Sequence, residues 1–196
     1  MVNVKLIFFA ICIGLAFPSY GKPLSNQLWP ALYIEDPQLT KNTVMRQCQR
    51  SLKYAPKELE AWCEKAYKMG AWEALLYIGY HTGDGSRYVS EVKRRAAGKE
   101  HIAIRKLAWL NYNGIFIETN LAEAARLYNI FLAQGSDSSA FMLRSIHYNL
   151  AKIYTTFEDW PRVIEHAQYV IDQNVGDGSD ALAKDLKAKA LSKLNN

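Results

Sequence analysis

A serine placed three residues before a lysine on a helix is the arrangement of a serine acyl-transfer centre, because the amine can take the hydroxyl proton. Ser90-Glu91-Val92-Lys93 has that spacing. Its usual companions are not in place. His81-Thr82-Gly83 loosely resembles a K-T-G element but precedes the serine, and no S-D-N occurs. The four histidines are His81, His101, His147 and His166. None stands at H-x-x-x-H spacing from another, so no helix-borne zinc pair is expected, and each reads as a surface or interface residue. The close carboxylates Glu35 and Asp36, Glu58 and Glu60, and Glu158 and Asp159 fall near helix starts. Negative charge there complements the helix dipole, which explains them without a glycosidase pair. There is no P-loop and no G-x-G-x-x-G after a strand. These residues assign no catalytic group, no metal and no cofactor.

The cysteines carry more information. Cys12 lies in an apolar N-terminal run, which leaves Cys48 and Cys63 in the body of the chain. Residues 40 to about 53 read as one helix, and Pro56 suits the first turn of a second. The midpoint of Cys48 and Cys63 falls between Ala55 and Pro56. On antiparallel helices, residues equidistant from the turn lie at the same height, so the two thiols are expected to pair. Two cysteines alone do not make a structural zinc site, and a redox pair is usually C-x-x-C.

An even cysteine count suits an exported chain, and the N-terminus carries an export signature. Lys5 gives a short positive region, and Leu6 to Phe17 contains no charge. Ser19 and Gly21 provide small residues at the −3 and −1 positions of a cleavage after Gly21. Residues 1–21 are therefore expected to be a signal peptide, with an uncleaved membrane anchor as the competing reading. Ile11 before Cys12 argues against a lipid-attachment site, and no later apolar stretch is long enough to span a bilayer. The expected location is periplasmic or secreted.

The 196 residues suit one domain, and the composition, 49% hydrophobic and 22% charged, is that of a globular protein. The net charge of +5 is spread among acidic residues, and Lys93-Arg94-Arg95 with Lys99 is the nearest thing to a run. That pattern reads as a solvated helix face and not as a nucleic-acid surface.

Residues 22–40, with Pro23, Pro30 and Pro37, read as an extended arm that packs Leu28, Trp29 and Tyr33 onto the body. Helical periodicity then fills residues 41–196, with no sustained alternation and no Asn-Gly hairpin turn. The spacing predicts helices over 41–53, 57–69, 71–82, 87–97, 101–113, 120–134, 140–156, 160–173 and 179–194. Left-handed caps are expected at Gly70, Gly83-Asp84-Gly85, Gly98, Gly114, Gly135 and Gly176-Asp177-Gly178, and N-caps at Asn120 and Ser136 or Asp137. Short helices of similar length call for a repeat search. Trp62 through Gly70 parallels Leu127 through Gly135, each the end of a helix closed by glycine. Ala96-Ala97-Gly98 supplies the intervening closure.

Tyr80-His81-Thr82-Gly83-Asp84-Gly85 fits Y-x-x-G-x-G. Leu107-Ala108 to Gly114, then Asn120, Ala124, Leu127-Tyr128 and Gln134-Gly135, keeps the spacing of one whole unit. In these residues, across about 57–194, the chain resembles the Sel-one-like repeat family, a close relative of the tetratricopeptide repeats. It departs from that pattern at Tyr77 and Phe116, which replace glycines, and at Asn111, in a tyrosine slot. Leu150 to Tyr154, then Asp159-Trp160, looks more like a tetratricopeptide unit, with 179–194 as the capping helix.

The resemblance implies an all-α solenoid of helical hairpins with an N-terminal extended arm. Lone hairpins cannot bury both apolar faces, so neighbours stack. Ala66, Ala108, Ala124, Ala151 and Ala167 would allow close approach, while Trp62, Leu76, Leu107, Leu127, Tyr128, Leu150 and Tyr154 fill the gaps. Stacking leaves a groove lined by the first helix of each hairpin. By analogy its facing residues are Ser145, Tyr148, Lys152 and Thr155 in the last unit, and Tyr77, His81, Arg105, Trp109 and Tyr112 in the central ones. Several of them could instead belong to the inter-repeat core. The function implied is a scaffold or adaptor that binds a protein partner in the cell envelope. Some exported repeat proteins of this kind are linked to β-lactam hydrolysis, so an envelope hydrolase acting on β-lactams or peptidoglycan is one alternative. An accessory subunit of a secretion or surface apparatus is another.

Overall fold

The computed structural model describes residues 29–30, 32–135, 138–173, 175–176 and 178–195. The signal peptide expected over 1–21 and Leu28 of the arm lie outside these residues. The described chain is all-helical, with no strand. Nine α-helices follow in order: α1 Lys41–Tyr54, α2 Leu59–Lys68, α3 Ala74–Thr82, α4 Ser86–Ala97, α5 His101–Asn113, α6 Leu121–Ala133, α7 Ala140–Thr156, α8 Trp160–Asp172 and α9 Ser179–Leu194. A single 3-10 turn, Pro56–Glu58, leads into α2. None of these helices is long and apolar enough to cross a membrane.

Local chemistry explains the boundaries. The side chains of Thr40, Asn120 and Asp159 accept the backbone N–H of Thr43, Glu123 and Arg162 and so start α1, α6 and α8. α7 starts on Ser139, which accepts the Met142 N–H, and not on Ser136 or Asp137, which fall outside the described residues. α3 begins three residues later than the periodicity predicts, because Trp72 and Glu73 form a turn. α3 and α5 end on left-handed Gly83 and Gly114 as expected. Gly98 does not behave this way: its φ is −74°, and Lys99 takes the positive φ of 62° one residue later.

Each helix packs on the next in sequence, and α1 also meets α3 as α7 meets α9. Three buried clusters result, the smallest made of Ala151, Ala167, Val170 and Ala183. The first runs from Val44 to Leu110 and the second from Ile104 to Ala190. Helix α5 joins them, since Ala103 and Leu110 face the first and Ile104 and Ala108 the second. The alanines expected to allow close approach, Ala66, Ala108, Ala124, Ala151 and Ala167, are all fully buried.

Phe116 shows how the chain accommodates a side chain where the resembled pattern has glycine. It holds a glycine-like φ of 60°. Its ring lies on two real glycines: a Cβ on Gly85 would fall 2.0 Å from Phe116 Cγ, and one on Gly79 2.9 Å from its Cζ. Tyr80 packs against the same ring at 5.4 Å.

The arm is pinned at named points. Gln47 Nε2 donates to the Pro30 carbonyl and Lys65 Nζ to that of Ile34. Trp29 meets Trp62 edge to face at 6.5 Å. Tyr33, expected on the body, is instead 73% exposed. Cys48 and Cys63 form a disulfide with Cα atoms 4.7 Å apart, at the middle of the α1–α2 hairpin.

Candidate functional site

The odd-numbered helices expose side chains around three hollows. The first, of about 400 Å³, lies among α1, the start of α3 and α5, and includes Lys41, Glu73, Tyr77 and Lys106. The second, of about 180 Å³, lies between α5 and α7, with Arg105, Trp109, Phe141 and Ser145 around the α6 residue Tyr128. The third, of about 150 Å³, lies between α7 and α9 and shares Phe141 and Ser145 with the second, adding Tyr148.

Six of the expected groove residues are brought together, Arg105, Trp109, Ser145 and Tyr148 around the second and third hollows and Tyr112 and Lys152 by their contact with each other. Arg105, Trp109 and Tyr112 form a stripe on α5, each about one helical turn from the next. Ser145, Tyr148 and Lys152 form the same stripe on α7. The two meet where Lys152 Nζ lies 5.6 Å from the Tyr112 ring centre and 5.7 Å from that of Tyr148. A hydrogen bond with Tyr112 and the two rings raise the Lys152 pKa, so its cation persists. Tyr77 lies apart, in the first hollow. His81 is exposed at the end of α3 and lines none of the three hollows. Thr155 lines none either, and its hydroxyl donates to the Ala151 carbonyl of its own helix.

Phe141 is a site residue that the analogy passes over. It is 75% exposed and lines both hollows beside α7. Its position one turn before Ser145 puts it on the same stripe, which was the available signal. Lys106 is the other omission. Burial, then the charge of Arg105, lowers its pKa.

The S-x-x-K residues do not form a pair. Ser90 and Lys93 are both exposed on α4, and no hydrogen bond joins them. No group of three or more metal-ligating side chains occurs among the described residues.

Two histidines, each expected from sequence at a surface or interface, are partners across α7 and α8. His147 Nδ1 lies 3.0 Å from His166 Nδ1. His147 stacks on Tyr169 at 3.7 Å and His166 on Tyr154 at 5.5 Å. Burial pushes both imidazoles down to about 4, the other ring adding to the effect on His147 and Arg162 to that on His166. One neutral ring therefore donates and the other accepts. Because the unfolded histidines bind protons near pH 6.5 and the folded ones only near pH 4, stability is full above pH 6.5 and is lost as pH falls through that window. Urea denaturation is expected to show about 4 kcal/mol less stability at pH 5 than at pH 7, about 2 kcal/mol from each histidine. His147→Gln/His166→Gln should flatten that slope, and an unchanged slope would assign it to other groups.

Compared with known proteins, the chain matches no family model, no curated protein and no solved structure.

Proposed function

We propose that this protein is an exported α-solenoid of Sel-one-like and tetratricopeptide-like hairpins, with an N-terminal extended arm, that serves as a scaffold or adaptor in the cell envelope. The observation that carries the reading is the shared face of α5 and α7. Arg105, Trp109, Tyr148 and the exposed Phe141 line its hollows, and Lys152 lies between the Tyr112 and Tyr148 rings. Tyr, Trp and Arg are the side chains that anchor protein interfaces, because each combines a large apolar body with a directed polar group. Contacts limited to near neighbours in the chain support the solenoid. The apolar N-terminal run before small residues at Ser19 and Gly21 supports export, and the Cys48–Cys63 disulfide fits an oxidising compartment.

The test is capture from native envelope extract with protein beginning at Lys22. Tyr148→Ala/Lys152→Glu is compared with the parent and with Lys93→Glu on the exposed face of α4. The expected result is a partner held by the parent and by Lys93→Glu and lost with the double variant. Equal capture by all three removes the groove from the function.

A further inference from the structure

Three of the described arginines are not exposed: Arg95, Arg105 and Arg144. Arg95 pairs with Glu91 at 2.7 Å and Glu100 at 2.8 Å, and Arg144 pairs with Asp180 at 2.7 Å. Arg105 has no carboxylate partner among the described residues, and its Nε is buried without a hydrogen-bond acceptor. A half-buried cation left uncompensated is costly, and proteins normally pair it. Arg105 lies beside Trp109 and Phe141 in a hollow that no carboxylate lines among the described residues. Lys152, further along the same face, also has no ion pair among the described residues and is held between Tyr112 and Tyr148. The exposed arginines of the even-numbered helices differ, since Arg87, Arg94, Arg126 and Arg162 each have an acidic partner.

We infer that the α5–α7 face binds an extended peptide segment carrying two acidic side chains three residues apart, one on Arg105 and one near Lys152, with its apolar residues against Trp109 and Phe141. The spacing follows from geometry. Arg105 shares its hollow with Ser145, and Lys152 lies seven residues, about 10 Å, further along α7. A polyproline-type strand advances about 9 Å in three residues and returns to the same side, so acidic residues at that interval meet both cations. The guanidinium supplies a planar fork matched to a carboxylate. This inference rests on the groove reading above and adds to it the chemistry of the partner.

The probe is a fluorescein-labelled peptide, acetyl-Gly-Glu-Pro-Leu-Glu-Gly-amide, titrated at low ionic strength and followed by anisotropy. Its Gln-for-Glu form and a form with the two glutamates adjacent serve as comparisons. The expected result is binding about tenfold tighter for the Glu peptide than for the Gln peptide, weakened by salt. Adjacent glutamates should lose most of that advantage. Arg105→Gln should bring the Glu and Gln peptides close to equal, while Arg105→Lys keeps part of the difference. Because the main comparison changes only the peptide, it does not depend on whether a variant folds. Equal binding of the Glu and Gln peptides, or of the two glutamate spacings, would overturn the inference. If that charge-blind binding were lost in Trp109→Ala, the groove reading would still stand. Binding of none of the peptides at roughly 1 mM would also overturn it, leaving the groove to be judged by the capture experiment.

Discussion

Trp62→Ala is expected to lower the free energy of unfolding by about 3–5 kcal/mol in urea denaturation. Trp62 is 1% exposed and stands at the junction of three structures. It belongs to the cluster that unites α1 with α5, its Nε1–H donates to Glu58 at 3.2 Å, and its ring holds the edge of Trp29. Truncation removes the transfer free energy of the indole and leaves a cavity that the surrounding helices can only partly close. The arm is held to the body through the Gln47 and Lys65 hydrogen bonds and the Trp29 ring, so it should loosen first. Pro30, whose carbonyl is held by Gln47, and Ile34, whose carbonyl is held by Lys65, would then lie in the segment that gains backbone hydrogen exchange. Trp62→Phe keeps most of the packing and should lose clearly less. A loss below about 1 kcal/mol in Trp62→Ala would mean that the first hairpin is not part of one cooperative core.

Replacing the disulfide by Cys48→Ala/Cys63→Ala is expected to cost about 3 kcal/mol, the chain-entropy value for a closed loop of this length. The residues are 15 apart in sequence, and both are fully buried. The bridge limits the unfolded hairpin and adds little to native packing that alanine would not also supply. The loss should therefore appear chiefly as a lower urea midpoint, with the helix content of the folded protein unchanged. Wild type unfolded in reductant should match the variant to within the small cavity that the sulfur atoms leave. Burial also means that reductant reaches the bridge only when α1 and α2 separate, so reduction of the folded protein should follow the opening rate and not the reductant concentration. Alkylation of the unfolded, unreduced protein supplies the check: two modified cysteines would show that the pair is open, and the predicted loss would vanish.

The helices were largely legible in the sequence because their signals are local. Thr40 caps α1, Gly83 and Gly114 close α3 and α5, and periodic apolar residues mark the buried faces. The Cys48–Cys63 pairing was legible for the same reason, since two helices and one turn set its register. The stripe Arg105, Trp109, Tyr112 on α5 and Ser145, Tyr148, Lys152 on α7 could be drawn from helical spacing, but its partners could not. His81 and Thr155 satisfy the same analogy and, like Tyr112 and Lys152, line none of the three hollows, because a helix face says which residues share a side and not which neighbours they meet.

The sequence by itself determined the all-helical architecture, the positions of most turns and the hairpin clip, all of which depend on residues within a few turns of one another. The tertiary structure alone decided what those helices present. It put Phe116 into the cradle of Gly79 and Gly85, joined His147 to His166 across two helices, and gave Arg95 and Arg144 carboxylates while leaving Arg105 without one among the described residues. Each of these depends on which side chains from distant positions arrive at one place, and Coulomb and packing energies depend on that distance and not on separation along the chain.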